Sequence, residues 1–213
     1  VWTDFPDNML YQKTVWQDKL RGYSYLKGIL NEAAVFQPTQ RSMNDMLKAS
    51  ANSKKPLGAL EEQVLRELLA FCRDEGLTNV VFARFPHIVV RRTFSRFERS
   101  NTVADIVAEY GYDYLNFELN YEDTGLDEST DFYNLDHLNI HGQQKFTEFF
   151  VNYLQNRYPL APRPQSDAQK EKWAECAAYY NAYCRYSEQL MQSGKGRELS
   201  EDSELIETLR AYL

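Results

Sequence analysis

The chain has 213 residues, of which 43% are hydrophobic and 26% charged, an ordinary globular composition that excludes wholesale disorder. Its 24 Lys and Arg against 31 Asp and Glu leave a net charge of −7, so a broadly basic nucleic-acid surface is excluded and nucleic acid is not an expected partner. Mean hydropathy is −0.60, no apolar run approaches the roughly 20 residues of a membrane span, and the opening residues carry neither a signal-peptide pattern nor an initial Met, so the sequence reads as a piece of something longer.

Residues 1–57 form an irregular or partly helical segment, rich in aromatics (Trp2, Phe5, Tyr11, Trp16, Tyr23, Tyr25) and ending in a loop marked by Pro38, Ser50, Asn52, Ser53 and Pro56. Residues 58–158 read as an α/β region. A helix is expected over 58–75, with Leu60, Val64, Leu68 and Cys72 on its buried stripe, Leu65 and Leu69 widening it, and Gly76 after it. The run Asn79–Phe85 reads as a buried strand stopped by Pro86. Asn101 or Thr102 is placed to cap a second helix carrying Val103, Ile106, Val107 and Tyr110, followed by Gly111 and a strand over Tyr112–Phe117.

A long acidic loop, 118–136, reads as solvated, and a third helix is expected from about Gly142 to Arg157, with Phe146, Phe149, Phe150, Tyr153 and Leu154 inward. This alternation implies a parallel sheet, but two strands are fewer than the roughly five of a free-standing doubly wound domain, so the sheet is expected to be incomplete. Prolines 162 and 164 mark a linker into a C-terminal helical appendage, 159–213. Its aromatic stripe (Trp173, Cys176, Tyr180, Tyr183) suits either a hairpin packed on the body or a surface for a second copy or a helper chain. Ser193-Gly194-Lys195-Gly196 breaks that helix, and a short acidic helix is expected to end the chain. The three cysteines (Cys72, Cys176, Cys184) have neither disulfide-framework nor zinc spacing.

The chemistry-bearing segment is Asp131-Phe132-Tyr133-Asn134-Leu135-Asp136-His137-Leu138-Asn139-Ile140-His141-Gly142, continuing through Lys145 to Thr147. It sets His137 among carboxylates at a loop-to-helix boundary, beyond a strand's carboxyl end, where open α/β sheets do their work. A histidine with an orienting carboxylate is the base–acid half of a hydrolytic triad. The block, with His137, Leu138, Asn139, Gly142, Lys145 and Thr147 in register, resembles the last motif of the SGNH/GDSL hydrolase superfamily. In particular it is similar to the bacterial cell-envelope branch of D-alanyl-lipoteichoic acid transfer proteins and O-acetyltransferases. The resemblance covers roughly Leu60 to Leu154. It implies a flavodoxin-like three-layer α/β fold and ester hydrolysis or O-acyl transfer on carbohydrate or cell-envelope esters. It also implies an extracytoplasmic or membrane-associated setting, no cofactor, and His137 as base.

Two positions depart from that pattern. The family's acid lies three residues before the His, where this chain has Asn134; an amide holds a ring but does not stabilise imidazolium by charge, and the same exchange in a serine protease costs roughly 10⁴-fold. Asp136 or Asp131 is the substitute acid. The family's nucleophile turn has no counterpart: Gly22-Tyr23-Ser24 follows no apolar strand, so the serine is expected to be missing from this chain. A non-catalytic SGNH-fold binding module is the alternative. Arg91, Arg92 and His87, after the first strand, are the expected substrate-binding residues, although intramolecular pairing also accounts for the cluster Arg84, Arg91, Arg92, Arg96 and Arg99. His137 and His141 are spaced as a helical metal pair would be, but Leu138 and Gly142 do not fit one, and no metal is expected.

Overall fold

The computed structural model of the chain describes residues 39–193. The helices expected within residues 1–35, the Gly22-Tyr23-Ser24 turn and the acidic helix after residue 196 lie outside the described residues, as do the side chains of Cys176 and Tyr183. The elements in chain order are α1 (Asn44–Leu47), α2 (Ala59–Asp74), β1 (Val81–Arg84), α3 (Phe94–Glu109), β2 (Asp113–Asn116), a 3₁₀ turn (Tyr121–Thr124), β3 (Phe132–Asn134), β4 (His137–Leu138), α4 (Ile140–Arg157) and α5 (Asp167–Ser193). The protein is a mixed α/β chain with a small parallel and a small hairpin sheet. Two compact units divide the described part: an amino-terminal one of residues 39–128 plus Asn134–Asp136, and a carboxyl-terminal one of Ser129–Tyr133 plus residues 137–193.

The amino-terminal unit is built on β1 and β2, which pair in parallel with Val81 opposite Asp113 and Arg84 opposite Asn116. A parallel pair needs a crossover, and α3 supplies it. Gly58 precedes α2, and the Glu61 carboxylate accepts the Gly58 N–H at 3.0 Å, satisfying a helix-end donor. Gly76, at φ 64°, ends α2, a left-handed conformation that costs other residues a Cβ clash. The core forms where Leu69 of α2 meets Ile106 and Val107 of α3, with Leu57, Leu65, Phe82, Val103, Tyr110, Tyr112 and Tyr114 around them. A second cluster gathers Leu47, Val89 and Phe97 with Phe94 and Leu119.

Three expectations do not hold. The expected stripe of α2 is mostly bare: Leu60, Val64 and Leu68 are 72%, 55% and 48% exposed, whereas Leu69 and Cys72 are buried. The apolar arc of α2 spans about half the helix circumference at 100° per residue, and the neighbours cover only the half that holds Leu65, Leu69 and Cys72.

Helix α3 begins at Phe94 rather than at Asn101 or Thr102. Those two residues sit inside it and bind the preceding loop instead, Asn101 Nδ2 donating to the Ser53 carbonyl at 2.9 Å and Thr102 Oγ1 to the Lys55 carbonyl at 2.8 Å. The acidic stretch is not uniformly solvated. Glu122, Asp123 and Asp127 are exposed, but Glu118 and Asp131 are each 1% exposed and sit beside cations.

In the carboxyl-terminal unit, the β3–β4 hairpin leads into α4. Phe146 is buried and stacks on Phe150 at 5.8 Å between ring centroids; Phe149 and Tyr153 continue the aromatic row. The long helix α5 runs over the expected segment and exposes Trp173 and Tyr180 by a little over a third. None of the described helices is long and apolar enough to cross a membrane.

Candidate functional site

The His137 block is a built junction in the carboxyl-terminal unit. Asn139 is the N-cap of α4: its Oδ1 accepts the backbone N–H groups of His141 at 3.0 Å and Gly142 at 3.1 Å. Its Nδ2 donates to the Thr130 carbonyl at 2.7 Å, and its own N–H donates to the Asp131 carbonyl at 3.0 Å. One fully buried amide therefore caps the helix and ties it to the turn that precedes β3. Gly142 is required by proximity rather than by φ. A Cβ built there would lie 2.1 Å from the Asp131 carbonyl oxygen and 3.0 Å from Leu138 Cδ2. Lys145, one turn along α4, donates to Asp131 Oδ2 at 2.7 Å, and Thr130 Oγ1 donates to Oδ1 at 2.9 Å.

His137 itself is exposed on β4, two residues before that cap. Of the proposed acids, Asp131 is buried and held by Lys145 and Thr130 in the same unit. Asn134 and Asp136 belong to the amino-terminal unit. There Asn134 Oδ1 accepts the Asp136 N–H at 2.8 Å, a local side-chain turn, and the Asp136 carboxylate pairs with Arg96 Nη1 at 3.1 Å. Thr147 is exposed. His141 does not share a helical face with His137, which precedes the helix; its Nε2 lies 2.6 Å from Glu188 Oε2 of α5. Among the described residues no group of three or more metal-binding side chains occurs.

The amino-terminal unit carries a second cluster, at the carboxyl edge of its parallel strands. Glu118, two residues past β2, has a fully buried side chain. Its Oε2 accepts Arg84 Nε at 2.6 Å, and its Oε1 lies 3.0 Å from His87 Nδ1. Asn116 Oδ1 accepts the Glu118 N–H at 3.1 Å, Asn116 Nδ2 donates to Ser100 Oγ at 3.3 Å, and Ser100 Oγ and the Tyr114 hydroxyl are 2.8 Å apart. Burial pushes the Tyr114 phenol up, with the Ser100 hydrogen bond working against it.

His87, expected as a substrate contact, is brought into this cluster, and its backbone is clamped. Asn44 Nδ2 donates to the His87 carbonyl at 3.0 Å, and the Val89 N–H donates to Asn44 Oδ1 at 2.9 Å. Arg91 and Arg92, its expected companions, are exposed on the turn that leads into α3.

Glu118 and Asn44 were not singled out by sequence. The signal for Glu118 is its place between Phe117 and Leu119, two residues past Asn116, which stands opposite Arg84 in the parallel pair. Elsewhere in the unit, Ser42 Oγ donates to Glu128 at 2.6 Å. Burial, with Asp45 and Asp127 nearby, raises the Glu128 carboxyl above the usual range, and that hydrogen bond opposes the rise.

No family model, no curated protein and no solved structure matches the chain.

Proposed function

We propose that the chain carries the carboxyl-terminal part of an SGNH/GDSL-type ester hydrolase or O-acyltransferase acting on acyl esters of carbohydrate or cell-envelope polymers. In this reading the α/β region belongs to a flavodoxin-like three-layer sandwich, His137 is the general base, and the nucleophile is a serine outside the given sequence. The observation that carries the reading is the junction: Asp131, Asn139, Gly142 and Lys145 hold one another at the start of α4, and His137 stands exposed two residues before the cap. A base for acyl transfer needs that combination of a fixed backbone and an accessible ring. His137 takes the serine proton as the hydroxyl attacks the ester carbonyl, then returns it to the leaving alcohol.

One observation favours the second reading, a non-catalytic module of the same fold that binds carbohydrate or a partner chain. Each acid candidate has a structural occupation: Asn134 closes the hairpin turn, Asp136 pairs with Arg96, and Asp131 pairs with Lys145. Hydrolysis of p-nitrophenyl acetate separates the two. The 213-residue chain alone is expected to show little or no turnover, because acyl transfer needs nucleophile, base and oxyanion donors together. In a polypeptide extended upstream to include a Gly-x-Ser turn, activity lost in His137→Ala supports the enzyme. An inactive extended polypeptide supports the binding module. Turnover by the 213-residue chain that survives His137→Ala overturns the site.

A further inference from the structure

The cluster at the carboxyl edge of β1 and β2 has the composition of an acid–base site that the His137 reading does not use. Glu118 is a fully buried carboxylate, and a buried charge is tolerated only beside compensating partners. Arg84 provides one, on Oε2 at 2.6 Å. It leaves His87 unexplained. His87 Nδ1 and Glu118 Oε1 are 3.0 Å apart, both atoms are buried, and neither makes an aligned hydrogen bond. A small ring rotation would align them, and paired unsatisfied atoms of this kind ask for a reason.

The His87 side chain is 25% exposed while its Nδ1 is buried against Glu118, and Nε2 lies across the ring from that nitrogen. Its main chain is fixed by Asn44 and by the Ile88 N–H, which donates to the Leu135 carbonyl at 2.9 Å. A fixed imidazole with one nitrogen against a carboxylate and the other facing outward is the arrangement that sets a histidine's tautomer and makes the outer nitrogen a proton acceptor.

We propose that His87, oriented by Glu118 and charge-balanced by Arg84, presents Nε2 as the hydrogen-bond acceptor for a neutral hydroxyl ligand, a sugar alcohol. Glu118 and Arg84 cancel in charge as a pair, so the class that suits an Nε2 acceptor here is a neutral O–H donor. The ligand O–H donates a hydrogen bond to Nε2 while Nδ1–H stays on the Glu118 side, and no covalent bond is made or broken. The site lies within the amino-terminal unit and does not depend on the role of His137.

The chain has three histidines, so long-range ¹H–¹⁵N spectra of the full chain resolve each ring. With the rings neutral at alkaline pH, His87 is expected as the Nδ1–H tautomer. Methyl β-glucoside, added as the probe, is expected to shift the His87 Nε2 resonance and leave His137 and His141 unmoved. Glu118→Gln is expected to change the tautomer ratio by about tenfold or more, as loss of a charge 3.0 Å from Nδ1 implies. An Nε2–H tautomer at His87 in the unmutated chain overturns the proposal whether or not the variant folds. A His87 resonance indifferent to methyl β-glucoside overturns the hydroxyl assignment.

Discussion

Gly142→Ala sets two opposed effects against each other at one atom. Gly142 is the third residue of α4, and alanine in a helix is favoured over glycine by about 1 kcal/mol. The added Cβ, however, would stand 2.1 Å from the Asp131 carbonyl oxygen, a backbone atom. Carbon and carbonyl oxygen settle at about 3.3 Å or more, so the helix start and the strand must separate by about 1 Å. That displacement also stretches the Asn139 N–H to Asp131 carbonyl bond, now 3.0 Å, beyond hydrogen-bonding range. Overpacking costs about 1–3 kcal/mol and the lost hydrogen bond about 1 kcal/mol more. After the propensity gain, a net loss of about 1–3 kcal/mol remains, or a fall in Tm of about 3–10 °C for a chain of this size. Thermal unfolding followed by far-ultraviolet circular dichroism measures it, with Gln144→Ala on the exposed face of α4 as the neutral control. A Gly142→Ala chain as stable as the parent, or more so, refutes the close approach.

The exposed half of α2 gives a second test. Leu69→Ala, at 0% exposure, is expected to cost about 2–4 kcal/mol in urea unfolding, and Leu68→Ala, at 48% exposure, less than about 1 kcal/mol. Equal losses would show that the bare stripe is covered. Glu128 gives a pH test. Its carboxyl is raised in the folded protein, chiefly by burial, so its contribution is whole below the ordinary carboxylate range and is lost as pH rises through its own titration. Glu128→Gln is therefore expected to match the parent in acid and to gain in relative Tm toward neutral pH. A Tm difference that does not change with pH contradicts this.

What sequence could and could not foretell follows from which interactions are local. The α2 end at Gly76, the α3 end at Gly111 and the places of the two strands were legible because turn chemistry and apolar runs act within a few residues, but the first, expected to be buried, exposes Val81 and Ala83. The parallel pairing of β1 with β2 followed from the helix between them. The start of α3 was not legible. Asn101 and Thr102 have the composition of caps, but Ser53 and Lys55, over 40 residues away, engage them in mid-helix, and nothing local distinguishes the two uses. The buried half of α2 was illegible for a similar reason. An apolar arc of about 180° contains two stripes, and only the position of Ile106 and Val107 decides which is covered.

The same reasoning applies with most force to the His137 block. Of the residues by which the block resembles a hydrolase motif, Asn139, Gly142 and Lys145 have architectural explanations: a cap, a close approach and an ion pair to a buried carboxylate. A motif whose members support one another mechanically can persist whether or not the chemistry does, so its presence argues for the junction first and for the reaction second. His137 differs from these three in being exposed, on a two-residue strand. A histidine–carboxylate contact of the kind triad chemistry uses is found at His87 and Glu118, where the carboxylate is fully buried, and at His141 and Glu188, where both side chains are over a third exposed. The sequence directed attention to the histidine beside an amide, and the parallel register of β1 and β2 assembled another from residues 31 positions apart, a pairing that only a folded sheet makes visible.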